Sequence, residues 1–132
     1  MSGTPREPDP ELLDLWARVF DMARHGRTET LTAYVDAGIS VDLTNDKGDS
    51  LVMLAAYHGH AGTVRALLRR GADPDRRNDR GQSPLAGAVF RNEPDVVKAL
   101  LDGGADTSAG SPSAVETARM FGNADMLALL GT

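Results

Sequence analysis

Gly48-Asp49-Ser50-Leu51-Val52-Met53-Leu54-Ala55-Ala56-Tyr57-His58-Gly59-His60, followed by Val64, Leu67-Leu68 and Gly71-Ala72-Asp73, is the stretch on which the fold turns. Ser50 is a residue type that caps a helix, because its hydroxyl accepts from an otherwise unpaired backbone N–H. The apolar run behind it predicts a short helix, which Gly59 stops by taking a left-handed backbone at low cost. A second helix is predicted over about Ala61 to Arg70. Its Val64, Leu67 and Leu68 stand at i, i+3 and i+4 on one face, and Gly71 ends it. Ala72 to Gln82 carries Asp, Pro, Asn and Gly without helical period, so it is predicted to project as a hairpin or long turn.

The same grammar recurs along the chain. Gly38, Gly71 and Gly104 stand 33 residues apart, as do Gly26, Gly59 and Asn92. Asn45-Asp46-Lys47-Gly48 and Asn78-Asp79-Arg80-Gly81 repeat at that interval too. Gly122 follows Asn92 by 30, so the last unit has lost three residues between Gly104 and Ser113. In the third unit Ser83-Pro84 supplies the cap and a proline at the first helical position, then Val96, Val97, Leu100 and Leu101 form the second face. Ala55-Ala56, Ala86-Gly87-Ala88 and Ala118 make the first helices small on one side, which lets neighbours approach closely. No unit can bury its own apolar face, so the units must stack.

Ahead of the repeats, Met1 to Pro8 combines Gly, Pro and charge and is expected to be disordered. Asp9-Pro10 then reads as cap and first helical residue. Leu12, Leu13, Leu15, Trp16, Val19, Phe20 and Met22-Ala23 predict one longer amphipathic helix, with Trp16 covering the end of the stack. Residues 9–132 are expected to form one domain, with units at about 9–44, 45–77, 78–109 and 110–132.

These residues resemble the ankyrin repeat family. Gly48 to Asp73 and the third-unit stretch Gly81-Gln82-Ser83-Pro84-Leu85, Val96-Val97, Leu100-Leu101 and Gly104-Ala105-Asp106 carry the resemblance most specifically. The first and last units resemble the family's capping units. The resemblance implies an all-α solenoid of four stacked helix-turn-helix units with hairpin-like connecting loops. It also implies an L-shaped stack, with the hairpin tips and the first helix of each unit lining a concave face. Met53, Ala86 and Glu116 replace the family's buried His, which implies the loss of a side-chain hydrogen bond to the neighbouring turn and less rigid hairpins. Gly87 and Val89 replace Leu and Ala, so the third unit is expected to pack differently.

Composition narrows the function. The 132 residues include 0 Cys, so disulfides, thiolate zinc sites and cysteine nucleophiles are excluded. A net charge of -5 argues against nucleic acid and anionic membranes as partners. No apolar run approaches the ~18 residues of a membrane span, and Met1 to Pro10 lacks a signal peptide's apolar core. A cytoplasmic protein is expected. Arg outnumbers Lys by 12 to 2 and Ile39 is the only Ile, which points to a bacterial source.

No phosphate loop, dinucleotide fingerprint or nucleophile elbow occurs. Ser83 is a helix cap. His25 and His58 occupy equivalent positions on adjacent units with no nearby carboxylate, a poor metal set. His60 follows the turn glycine and has a structural role. Asp42, Asp73, Asp75 and Asp106 follow the second helices as turn formers. The arginine pairs Arg69-Arg70 and Arg76-Arg77 read as solvated faces. No catalytic residue, cofactor or metal is expected, and the chain is read as a non-enzyme.

What remains is surface. The two residues before each turn glycine are Arg24-His25, Tyr57-His58, Phe90-Arg91 and Met120-Phe121, a strip rich in the types that make interface hot spots. The hairpin tips add Asp46, Lys47 and Asp49 from one connection and Arg77, Asp79, Arg80 and Gln82 from the next. The expected function is binding another protein through the concave face. The alternative is a dedicated inhibitor or immunity-type protein blocking one enzyme or toxin. A monomer is expected, with the apolar C-terminus (Leu127, Leu129, Leu130) as the place for any weak self-association.

Overall fold

Asp9 opens the first helix as the sequence predicts, its carboxylate accepting from the Glu11 N–H at 2.9 Å. This computed structural model describes residues 9–132, so the expectation for Met1 to Pro8 lies outside the described residues. Eight helices follow among the described residues: α1 (Pro10–Arg24), α2 (Thr28–Asp36), α3 (Leu51–Tyr57), α4 (Ala61–Arg69), α5 (Pro84–Phe90), α6 (Pro94–Asp102), α7 (Ala114–Met120) and α8 (Ala124–Leu129). Each odd-numbered helix pairs with the even one after it. The odd helices then stack in one row and the even helices in a second. No strand forms among the described residues; the isolated bridges there are Thr44 with Ser50 and Gly110 with Ser113. The helical repeat solenoid expected from the sequence is therefore the architecture present.

Why the units hold together follows from the 33-residue register. Leu31, Val64 and Val97 are one interval apart and all fully buried, as are Leu67 and Leu100. Ala55, Ala88 and Ala118, also in register, are fully buried in the row of first helices. Only a methyl group separates these backbones, so any larger side chain would force them apart.

The caps are equally regular. Ser50 Oγ accepts from the Met53 N–H at 3.0 Å and Ser83 Oγ from the Ala86 N–H at 3.1 Å. Ser113 Oγ accepts from the Glu116 N–H, while Glu116 returns a bond to the Ser113 N–H at 2.9 Å. That reciprocal box gives Glu116 its place at the position where the family carries His. The same bonds hold its carboxyl below the ordinary glutamate range.

Polar links tie each unit to the next. Asp42 accepts from the Asp73 N–H at 3.0 Å, and Asp75 from the Asp106 N–H at 2.8 Å, so these turn-forming acids also bridge units. His60 Nε2 donates to the Arg24 carbonyl at 2.7 Å. Its ring lies so close to Gly26 that a Cβ there would come within 2.5 Å of Nδ1, and Gly26 has φ +67°. Gly26 thus serves two ends at once, a left-handed stop and a seat for His60. Arg70 lies on an exposed face, as expected, and there grips Asp36 of the first unit with two bonds of 2.9 and 3.1 Å. A planar guanidinium matches a carboxylate in this way, and that hydrogen bond holds the Asp36 carboxyl below its usual value. Arg65 reaches Asp102 of the third unit at 2.8 Å.

Candidate protein-binding face

The first helices are seven residues long in the second and third units, and every residue before the last is buried. Only the C-terminal end of each escapes its neighbours. Tyr57 emerges half-buried from α3. Phe90 emerges from α5 with 56% of its surface exposed, and Met120 and Phe121 end α7 at 72% and 58%. The sequence-predicted strip is therefore free of the core, and its rings are not absorbed by packing.

Its members touch one another. Phe90 and Phe121 meet edge to face with ring centres 5.7 Å apart, a preferred aromatic geometry. Arg91 lies over the Tyr57 ring at 5.1 Å, close enough for a cation–π contact. The Tyr57 and His58 rings are 5.7 Å apart. At the first unit, Arg24 pairs with Asp21 at 2.7 Å, and His25 Nδ1 donates to the Asp21 carbonyl at 2.8 Å. Burial first, and then the nearness of the other basic groups around it, hold the His58 pKa below the ordinary histidine value.

The hairpin tips are wired by asparagine. Asn45 Oδ1 accepts from the Lys47 and Asp49 N–H groups, and Asn78 Oδ1 from those of Arg80 and Gln82, all within 3.0 Å. Neighbouring tips are joined as well: the Asp79 N–H donates to the Lys47 carbonyl and Asn78 Nδ2 to Asp49, while Asn78 Nδ2 also donates to Gln82 Oε1 within its own tip. The Asn78 amide supplies a cross-link between adjacent tips, in a fold where the family's His bond to the neighbouring turn is missing.

Tips and strip enclose two adjoining hollows. The first, about 270 Å³, lies between the second and third units and brings together Lys47, Asp49, Tyr57, His58, Arg80 and Gln82. The second, about 350 Å³ and largely apolar, lies between the third and fourth. Tyr57, Arg80 and Gln82 border it on one side, and Phe90, Met120 and Phe121 on the other. Tyr57, Arg80 and Gln82 line both, so the two hollows adjoin on one flank. Arg24 and Asp46 line a separate hollow beside Trp16 at the N-terminal end. His25, Arg77 and Asp79 are exposed but line none of these hollows. Arg91 joins the hollows only through Tyr57.

Sequence reasoning passed over the floor. Met53 and Leu54 underlie the first hollow, and Ala86, Gly87, Pro112 and Thr117 the second. The signal lay in the register: Leu54, Gly87 and Thr117 are equivalent, and the glycine lacks the side chain that its neighbours carry. Among the described residues no group of three or more His, Asp or Glu could hold a metal ion. The arrangement offers apolar surface, planar cations and fixed hydrogen-bonding groups.

A family model of ankyrin repeats in three copies matches residues 19–110, and the chain belongs to the ankyrin repeat family. An ankyrin repeat protein of Pseudomonas aeruginosa is 47% identical over 58 residues, which cover 43% of this chain and 34% of that relative's length. Ankyrin repeats mediate protein–protein interaction and are generally non-enzymatic. No helix among the described residues is long and apolar enough to cross a membrane.

Proposed function

We propose that this chain is a non-enzymatic module that binds one partner protein through the groove formed by its hairpin tips and the ends of its first helices. The observation that carries the reading is the row of large side chains left outside the core on one flank, Tyr57, Phe90, Met120 and Phe121, beside polar tips of mixed sign. Aromatic, Met and Arg side chains within a polar rim are the make-up of a specific interface. The tips are held by internal hydrogen bonds before any partner arrives, so few groups must be ordered on binding and the entropic cost is low.

Residues 9–132 act as one domain in this reading, as a monomer in the cytoplasm of a bacterium. The absence of Cys and the Pseudomonas relative support that setting. Nucleic acid is not a partner, because the net charge of -5 opposes the phosphate backbone. The test is affinity capture from the native cell with tagged protein, repeated with Tyr57→Ala/Phe90→Ala. The double variant should lose the captured partner while its circular dichroism melt stays nearly unchanged. Equal capture by both proteins would remove the groove as the site.

A further inference from the structure

The two hollows of the groove differ in chemistry, and the second carries a sharper reading. Its floor is Gly87 and Ala86, where the preceding unit has Leu54 and Met53. Gly87 lines the hollow, and a Cβ on it would lie 3.2 Å from Met53 Cε and 3.6 Å from Tyr57 Cδ1, so a larger side chain there has to push these two aside to enter the hollow. At about 350 Å³ the space is at the low end of ligand pockets, typically ~300–1,000 Å³, and suits a single side chain and its flanks. Phe90, Met120 and Phe121 stand exposed at its mouth.

Charge narrows the occupant. The ion pairs among the described residues are Arg24 with Asp21, Arg65 with Asp102 and Arg70 with Asp36. Arg80, which borders the hollow, and Arg91, which lies on Tyr57 at its edge, have no carboxylate partner among them. His58, on the same flank, has its pKa lowered first by burial and then by its cationic neighbours, Arg91 among them.

Resting on the groove reading above, we infer that the hollow between the third and fourth units is an anchor pocket. It takes one aromatic or long aliphatic side chain of a partner segment, with carboxylates beside that anchor held by Arg80 and Arg91. Gly87 creates the pocket, the three exposed apolar residues close over the anchor, and the two guanidiniums set its flanking sequence. An acidic segment without an apolar anchor lacks the desolvated contact that holds it. A basic segment meets like charge, which a partner interface tolerates poorly.

The experiment is selection of random short peptides displayed on phage against the wild-type protein, followed by affinity measurements on the enriched peptides. Enriched sequences should carry one Phe, Trp, Leu or Met flanked by Asp or Glu. Gly87→Leu, which fills the pocket, and Met120→Glu, on an exposed rim residue that the fold does not need, should each weaken them about tenfold or more. Arg80→Glu with Arg91→Glu should weaken them and flatten their salt dependence. Peptides that lose affinity with Lys47→Ala/His58→Ala but ignore Gly87→Leu and Met120→Glu would overturn the pocket and leave the groove reading standing. Indifference to all of these variants would overturn both. Basic or uncharged enriched sequences, or no enrichment, would overturn the pocket.

Discussion

Helices α3 and α5 occupy the same place in successive units and are built alike. Each is seven residues long, each is capped by a buried serine, and each ends in an aromatic residue that leaves the core. They differ where Met53-Leu54 of one becomes Ala86-Gly87 of the other. In α3 the larger pair underlies a hollow with polar walls. In α5 the smaller pair opens a larger apolar hollow. Positions that obey the repeat make the scaffold, and positions that break it make the surface distinctive. A solenoid can vary in this way because each unit touches only its neighbours, so a local gap does not propagate.

The comparison breaks most visibly at the register position shared by Leu54 and Gly87. Leu54→Ala removes a buried side chain and should cost about 2–5 kcal/mol of stability, read from urea melts of wild type and variant. A loss well under 1 kcal/mol would mean that Leu54 packs no better than the gap opposite Gly87.

The caps come next. Ser50→Ala and Ser83→Ala each leave a buried helix N–H without its acceptor and should cost about 0.5–2 kcal/mol. Because the two sites are equivalent, the two losses should match. A large inequality would show that the second and third units are not held alike.

Gly87→Ala should act with the opposite sign to Leu54→Ala, raising stability by roughly 0.5–1 kcal/mol through helix propensity. Met53 Cε, the nearest atom to the new Cβ, is the end of a flexible side chain and can yield. Destabilisation in the same melts would mean that the pocket floor is tighter than its geometry indicates.

The smallest effect concerns pH. The pKa of His58 is lower in the folded protein than its ordinary 6.5. The unfolded chain therefore binds the proton more readily, and stability is fully present above pH 6.5 and declines as pH falls through the folded value. His58→Gln should lose less stability than wild type when urea melts at neutral and mildly acid pH are compared. Identical declines would remove His58 as the source.

Much of this was legible in the sequence because periodicity is written residue by residue. The glycine ladders, the serine caps and the apolar faces of α4 and α6 follow from local rules that act within one turn of helix or one hairpin. Even the exposed strip was partly legible, since Tyr57, Phe90 and Met120-Phe121 share a register position before the turn. The contacts among them were not. Arg70 reads as a solvated cation until Asp36 of the preceding unit lies beside it. Asp42 and Asp75 read as turn formers until their carboxylates meet the next unit's backbone.

By itself, then, the chain determined the period, the units and the residues too large or too polar to bury, because those depend on short-range propensity and on the spacing of apolar side chains. Tertiary structure alone decided which of the exposed residues share a hollow, that Tyr57, Arg80 and Gln82 border both hollows, and that Gly87 lines the second. Those facts depend on distances between units, fixed by the packing of α3, α5 and α7 through small buried side chains rather than by any local pattern.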